Sequence, residues 1–234
     1  MAFRLEDLSK TIDQTLLDPT ATAADVEEIC RRSRELHVAS VCVPPAHAAA
    51  AAAELRGSDV KVCAVIGLPT GLARVRTKIA DARRALADGA GELEFVVNTH
   101  ALRTADARLV RDELVSFART VRINSANGGR GAVLLKAVLG TSQLSDKLKK
   151  LAAKIVELAE FDFAQTSTGV GPDAAAVQDV ELLRDCLPES VGVKACGGIE
   201  TLADVEAMLN AGAGRVGSAA ATALLAGRRL AAAS

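Results

Sequence analysis

Short apolar runs alternate along this chain with longer stretches in which apolar residues return every three or four positions. The short runs cover 9–17, 38–43, 60–66, 92–97 and 132–139, the segment around Phe161, Phe163 and Ala164, then 191–195 and 215–217. They are continuous rather than alternating, as strands buried on both faces should be. The longer stretches read as helices. Thr22-Ala23-Ala24-Asp25 supplies an N-cap ahead of Val26, Ile29, Cys30 and Leu36. Further helical patterns cover 46–55, 75–86, 106–122, 145–160, 173–186 and 201–210, and an alanine-rich stretch ends the chain. The cluster of Asn and Gly at 124–131 reads as a turn. Lys147, Lys149, Lys150 and Lys154 read as the solvated outer face of their helix.

Eight strand–helix units in succession predict an α/β fold, a (β/α)8 TIM barrel, with residues 1–234 as a single domain. An open doubly wound sheet is the competing arrangement. It has fewer strands, and a dinucleotide binder of that class carries GxGxxG in its first turn. Here that turn is Leu17-Asp18-Pro19-Thr20, without glycine.

Composition narrows the partners. The chain has 234 residues, half of them hydrophobic, with 28 basic and 29 acidic side chains. This balance argues against nucleic acid or an anionic membrane as a partner. Aromatics are 2%, with no Trp or Tyr, so stacking platforms for bases are not expected. The N-terminus does not read as a signal peptide, and no apolar run approaches the ~18 residues of a membrane span. The five cysteines, 30, 42, 63, 186 and 196, show no CxxC spacing and read as free thiols of a cytoplasmic protein. With no HxxxH, HxH or cysteine-cluster spacing, no metal site and no cofactor are expected. His100 is expected on a loop, and His37 and His47 at the surface.

In this fold chemistry gathers where strands end. Those ends offer Asp13 and Thr15 on the first strand, Cys42 on the second, and Glu92, Glu94 and Asn98 on the fourth. The fifth offers Lys136, the sixth Gln165, Thr166, Ser167 and Thr168, the seventh Lys194 and Cys196, the eighth Gly217 and Ser218. A lysine inside an apolar strand must either face the barrel interior or pair with an acid, because an unpaired buried ammonium is costly. Lys136 and Lys194 facing one cavity are expected to depress each other's pKa and keep one amine neutral, as carbonyl addition requires. Glu92 and Glu94, two apart, share a face and either move protons or pair with these lysines. Gly169, Gly197, Gly198 and Gly217 lie in the loops after strands six to eight, where a barrel commonly binds phosphate.

The chain resembles the deoxyribose-phosphate aldolase family from about Ile12 to Ala220. Ile12-Asp13-Gln14-Thr15-Leu16-Leu17 is similar to its opening motif, and Val62 to Gly71 to its third strand, with Leu68 where Phe is usual. Gly89 to Glu94, Leu135 to Leu139, Val191 to Ile199 and Gly212 to Ser218 match further motifs. Phe161-Asp162-Phe163-Ala164-Gln165-Thr166-Ser167-Thr168-Gly169 resembles the strand that carries the family's Schiff-base lysine, and Gln165 stands at that lysine's position. Other departures fall nearby. Glu94 stands for a usual Asp, Gly140 for an acid, Cys196 for a small hydroxyl, Val170 for an aromatic or basic residue, and Ala219-Ala220 follow Ser218.

The resemblance implies a carbon–carbon lyase of class I aldolase type acting on a small, sugar-like and phosphorylated hydroxy-carbonyl substrate. Its catalytic candidates are Lys194, Lys136, Glu94, Asp13, Gln165 and Cys196. Its substrate- and phosphate-binding candidates are Thr166, Thr168, Gly169, Gly197, Gly198, Gly217 and Ser218. Gln165 leaves three possibilities open. The chemistry has changed, through an imine on Lys194 or through acid–base steps alone; or the chain is an ordinary aldolase in mutated or trapped form; or it binds without catalysis. Dimers are common in this fold, and a homodimer is one assembly the chain could form.

Overall fold

The computed structural model describes residues 5–127, 132–170 and 174–232. Eight parallel strands close into a barrel in sequence order, so each strand pairs with the next and the last with the first. The strands are β1 (Ile12–Thr15), β2 (Ser40–Val43), β3 (Lys61–Ile66), β4 (Glu92–Val96), β5 (Leu134–Val138), β6 (Phe163–Gln165), β7 (Gly192–Cys196) and β8 (Arg215–Ser218). The helices are α1 (Leu5–Ser9), α2 (Ala23–Leu36), α3 (Ala48–Glu54), α4 (Val75–Ala87), α5 (Thr99–Arg103), α6 (Ala107–Asn127), α7 (Asp146–Leu158), α8 (Val177–Cys186), α9 (Leu202–Asn210) and α10 (Ala221–Ala232). The predicted (β/α)8 architecture is the observed one.

Local chemistry sets the helix starts. At α2, Thr22 accepts from the Asp25 backbone N–H while the Asp25 carboxylate accepts from the Thr22 N–H; Thr201 and Asp204 repeat this capping box at α9. Between barrel and helices lies a continuous apolar layer in which Phe95, Phe117 and Phe161 meet, with the first two ring centroids 4.4 Å apart. Side chains of one strand alternate between this layer and the barrel interior, so the residues at every second position meet inside.

Several local expectations change. Ser9 closes α1, and the first strand is shorter than 9–17. The turn expected at 124 is the end of α6, because three helical turns of buried Val110, Leu114, Phe117 and Val121 carry the helix on to Asn127; residues 128–131 lie outside the described part. Asp173, expected to open the next helix, also lies outside it, and α8 begins at Val177. His100 sits in the short helix α5, exposed, not on a loop; Asn98 caps that helix by accepting from the Ala101 N–H at 3.0 Å. Lys149 is not on the solvated face of α7. It turns inward onto Asp179 of α8, Nζ to Oδ1 at 2.5 Å, and bridges the two helices.

Candidate active site

The barrel interior holds a charged network where barrels of this kind usually hold aliphatic layers. Lys136 of β5 reaches across to Asp13 of β1 at 2.6 Å and to Glu92 of β4 at 2.7 Å. Lys194 of β7 lies 2.5 Å from Glu94 of β4 and 2.8 Å from Asp13. Arg215 of β8 reaches Asp13 at 2.6 Å and Glu92 at 2.9 Å. Ser40 of β2 donates to Asp13 Oδ1 at 2.7 Å. Three acids thus face three bases, and Asp13 is the hub that touches all three cations.

Electrostatics follow from this count. Burial alone would push both amines towards neutrality, but the carboxylates outweigh it: Asp13 and Glu92 hold Lys136 charged, and Asp13 and Glu94 hold Lys194 well above the ordinary lysine value. Burial would likewise raise the Asp13 carboxyl, but Lys136, Lys194 and Arg215 keep it well below the usual carboxylate range. Glu94 is lowered in the same way, by Lys194 and then Lys136. The expectation that the two lysines keep one amine neutral is therefore corrected. They share a chamber, but each has two carboxylates within 2.8 Å.

Gln165 joins this network as a neutral member. Its register partners are Val138 of β5 and Lys194 of β7. The amide nitrogen donates to Glu94 Oε2 at 3.2 Å and to the Ser167 carbonyl at 2.8 Å. Glu94 thus carries Lys194 on one oxygen and Gln165 on the other.

The structure brings Asp13, Glu94, Lys136, Gln165 and Lys194 together at the heart of the barrel. Above them a cavity of about 700 Å³ opens at the strand ends. Gly169, Cys196, Gly197, Gly198, Gly217 and Ser218 line it, with Leu17, Ala219 and Ala220. Cys196 and Gly217 form the partition between cavity and network: a Cβ on Gly217 would lie 2.8 Å from Cys196 Sγ and 2.9 Å from Lys194 Cε. A side chain there would close the space over the amine. Burial pushes the Cys196 thiol up to about 12, so it meets the cavity as a neutral thiol.

Thr166 and Thr168 do not line this cavity. Thr166 Oγ1 accepts from the Cys196 N–H and donates to the Cys196 carbonyl, both at 3.1 Å, and so stitches β6 to β7. Thr168 Oγ1 accepts from the Val170 N–H at 3.2 Å inside its own turn. Ser218 donates to the Ile199 carbonyl at 2.6 Å and accepts from the Ala220 N–H at 3.1 Å, which sets the loop after β8.

Three contributors are absent from the sequence-based candidates. Arg215 opens an apolar strand, and a charged residue in that place signals an interior partner. Ser40 carries no signal. Cys63 faces Cys42 in register across β2 and β3, and their sulfurs and a Glu94 oxygen lie within 4.8 Å of one another. That proximity comes from strand pairing, so a search of spacings along the chain misses it. The trio is a donor set a divalent metal could use. Lys194 already holds Glu94, and Lys136 Nζ stands 3.8 Å from Cys63 Sγ, so a metal would have to displace two ammonium groups. Among the described residues no helix is long and apolar enough to cross a membrane.

No family model matches the chain. The deoxyribose-phosphate aldolase of Caldanaerobacter subterraneus subsp. tengcongensis is 39% identical over 216 residues, covering 92% of this chain and 91% of that protein. Among solved structures, an aldolase named QR15 superposes with a TM-score of 0.88 at 32% identity over 96% of each chain. The deoxyribose phosphate aldolase of Aeropyrum pernix, described as a unique tetramer, gives 0.85 at 29% identity, covering 97% of this chain and 92% of its own.

Proposed function

Because the chain belongs to the deoxyribose-phosphate aldolase family, we propose that it is a carbon–carbon lyase-type enzyme acting on a small phosphorylated hydroxy-carbonyl compound by acid–base chemistry, without an imine on β6. The observation that carries this reading is Lys194 clamped between Asp13 and Glu94, beside an amide at 165. An amide nitrogen has no lone pair to give a carbonyl carbon, so Gln165 is not a nucleophile. The Lys194 amine is held as an ammonium, which is equally unable to attack. What an ammonium–carboxylate pair does well is polarise a carbonyl oxygen and move a proton. In this reading Lys194 donates to the developing oxyanion and Glu94 accepts the proton from carbon or hydroxyl. Asp13 and Lys136 fix the positions of both.

The glycine-rich cavity suits the phosphate end of such a substrate. Gly197, Gly198 and Gly217 allow the backbone to come close to an anion, and Cys196 marks where that end gives way to the reacting end. Ala219 and Ala220 bring no hydroxyls, and Val170 no charge. Each missing hydrogen bond to a charged group weakens binding by roughly 1.5–3 kcal/mol.

Acetaldehyde release from 2-deoxyribose 5-phosphate tests the reading. The native protein is expected to cleave it on the order of 10³-fold or more below an aldolase with a lysine on β6. Gln165→Lys is expected to restore only a small part, since Gly140 still supplies no acid after β5. Full activity of Gln165→Lys would show an ordinary aldolase site lacking one residue. Robust native activity abolished by Lys194→Ala would make Lys194 the nucleophile.

A further inference from the structure

The charged residues that line the strand-end cavity are all of one sign. Asp18, in the turn after β1, and Glu200, in the loop after β7, border it and are exposed. Among the described residues no lysine or arginine lines it. Asp18 Oδ1 accepts from the Thr20 hydroxyl at 2.6 Å and from the Thr20 N–H at 2.7 Å, and these hydrogen bonds lower the carboxyl from its ordinary value. The network beneath does not offset the two acids. Asp13, Glu92 and Glu94 there balance Lys136, Lys194 and Arg215, and Gln165 adds no charge. Several backbone donors near the cavity are also engaged. The N–H groups of Glu200 and Thr201, just ahead of α9, both donate to the Asp204 carboxylate, at 3.2 and 2.8 Å, so the positive end of that helix is already closed by an acid of its own. The Ala220 N–H donates to Ser218 Oγ at 3.1 Å and the Thr222 N–H to Gln14 Oε1 at 2.7 Å, which occupies the start of α10.

We propose that this cavity accepts phosphate at the far end of the substrate without requiring it, so that the unphosphorylated hydroxy-aldehyde is bound about as well as its phosphate ester, and that Asp18 and Glu200 set this tolerance. The inference rests on the substrate class proposed above. It keeps the carbonyl at the Lys194–Glu94 pair and widens only the far end. The reason is a balance of two effects. The glycines at 197 and 198 leave room for a phosphate, but a dianion brought between two carboxylates is repelled by both, which offsets what the remaining donors contribute. A hydroxyl carries no charge to be repelled and can donate to either acid. The sign of the repulsion does not depend on the exact pose of these exposed side chains, because charges lining one cavity lie within a screening length of a ligand inside it.

The test compares 2-deoxyribose 5-phosphate with 2-deoxyribose, each titrated against the protein by ligand-observed NMR. For the native protein the phosphate is expected to improve affinity by less than about tenfold, and its affinity is expected to rise when sodium chloride is taken from about 0.01 M to about 0.1 M, as the screening length falls from roughly 30 to 10 Å. A site that attracts its anion shows the opposite sign. In the variant carrying both Asp18→Asn and Glu200→Gln the preference for the phosphate is expected to grow about fivefold at the lower salt concentration. Glu200→Lys is expected to reverse the salt effect, so that affinity for the phosphate falls as salt is added. Binding of 2-deoxyribose to each variant reports that the barrel is intact. A native preference above tenfold, an affinity that falls with salt, or variants that leave the preference unchanged overturn the role of Asp18 and Glu200 and leave the substrate class standing. Binding of neither compound at tens of millimolar overturns the substrate class, and this inference with it.

Discussion

Two kinds of buried lysine can be compared in this molecule. Lys136 and Lys194 lie inside the barrel, and Lys78 lies outside it, on α4 and turned against β4. All three are fully buried. The interior pair meets carboxylates at 2.5 to 2.8 Å and is held charged. Lys78 has one acid, Glu113 at 3.5 Å, with the Val96 carbonyl at 3.1 Å and the Phe95 ring centroid at 4.3 Å. There burial wins: the Lys78 amine is lowered, and burial raises its partner Glu113. Burial does not by itself decide whether an amine is neutral; the number and closeness of acids does. The amine closest to neutrality is the one packed between helix and sheet, away from the strand-end cavity. The acids beside the candidate site raise the pKa of both its amines. The family's chemistry begins with a neutral amine, and in this chain Asp13, Glu92 and Glu94 favour the ammonium form.

The comparison breaks most visibly at its hub. Asp13→Asn leaves Lys136, Lys194 and Arg215 one negative charge short. The expected loss is about 3–5 kcal/mol of stability, read as a drop in denaturation midpoint. A loss under ~1 kcal/mol would mean the network does not hold these cations. Smaller in effect is pH. Glu94 is lowered from its ordinary 4.5, so its contribution is present above that value and is lost as pH falls through the folded value. Lys194 is raised from 10.5, so its contribution is full below that value and is lost as pH rises through the folded one. The network's share of stability should therefore be flat between about pH 5 and 10 and should fall outside that window. A step near neutrality tracked to Lys194→Met would contradict the charge assignment. The smallest effect is expected outside the barrel. Replacing both Lys78 and Glu113 by Met and Leu should change stability by no more than about 1 kcal/mol in the unfavourable direction, and can raise it, since well-packed apolar residues often replace a buried pair at no cost.

Much of this was legible along the chain. The eight units were readable because parallel strands buried on both faces leave continuous apolar runs, and capping residues such as Thr22 and Thr201 mark helix starts. The interior lysines were readable because Lys136 and Lys194 interrupt such runs. Their charge state was not, because it depends on Asp13, 123 residues from Lys136 along the chain, arriving within hydrogen-bond distance. The same holds for Lys149. Its place in a run of lysines suggests solvent, and only the approach of α8 brings Asp179 to it. The facing of Cys42 and Cys63 is a matter of strand register, and leaves no trace in the order of residues.

With its amines held as ammonium ions, no lysine of this site is expected to form an imine. Incubation with acetaldehyde or 2-deoxyribose 5-phosphate in the presence of borohydride, followed by intact-mass measurement and peptide mapping, tests this most directly. No adduct on Lys136 or Lys194 is predicted for the native protein, alongside ready labelling of a family aldolase that carries a lysine on β6. A stoichiometric adduct mapped to Lys194 would contradict the account.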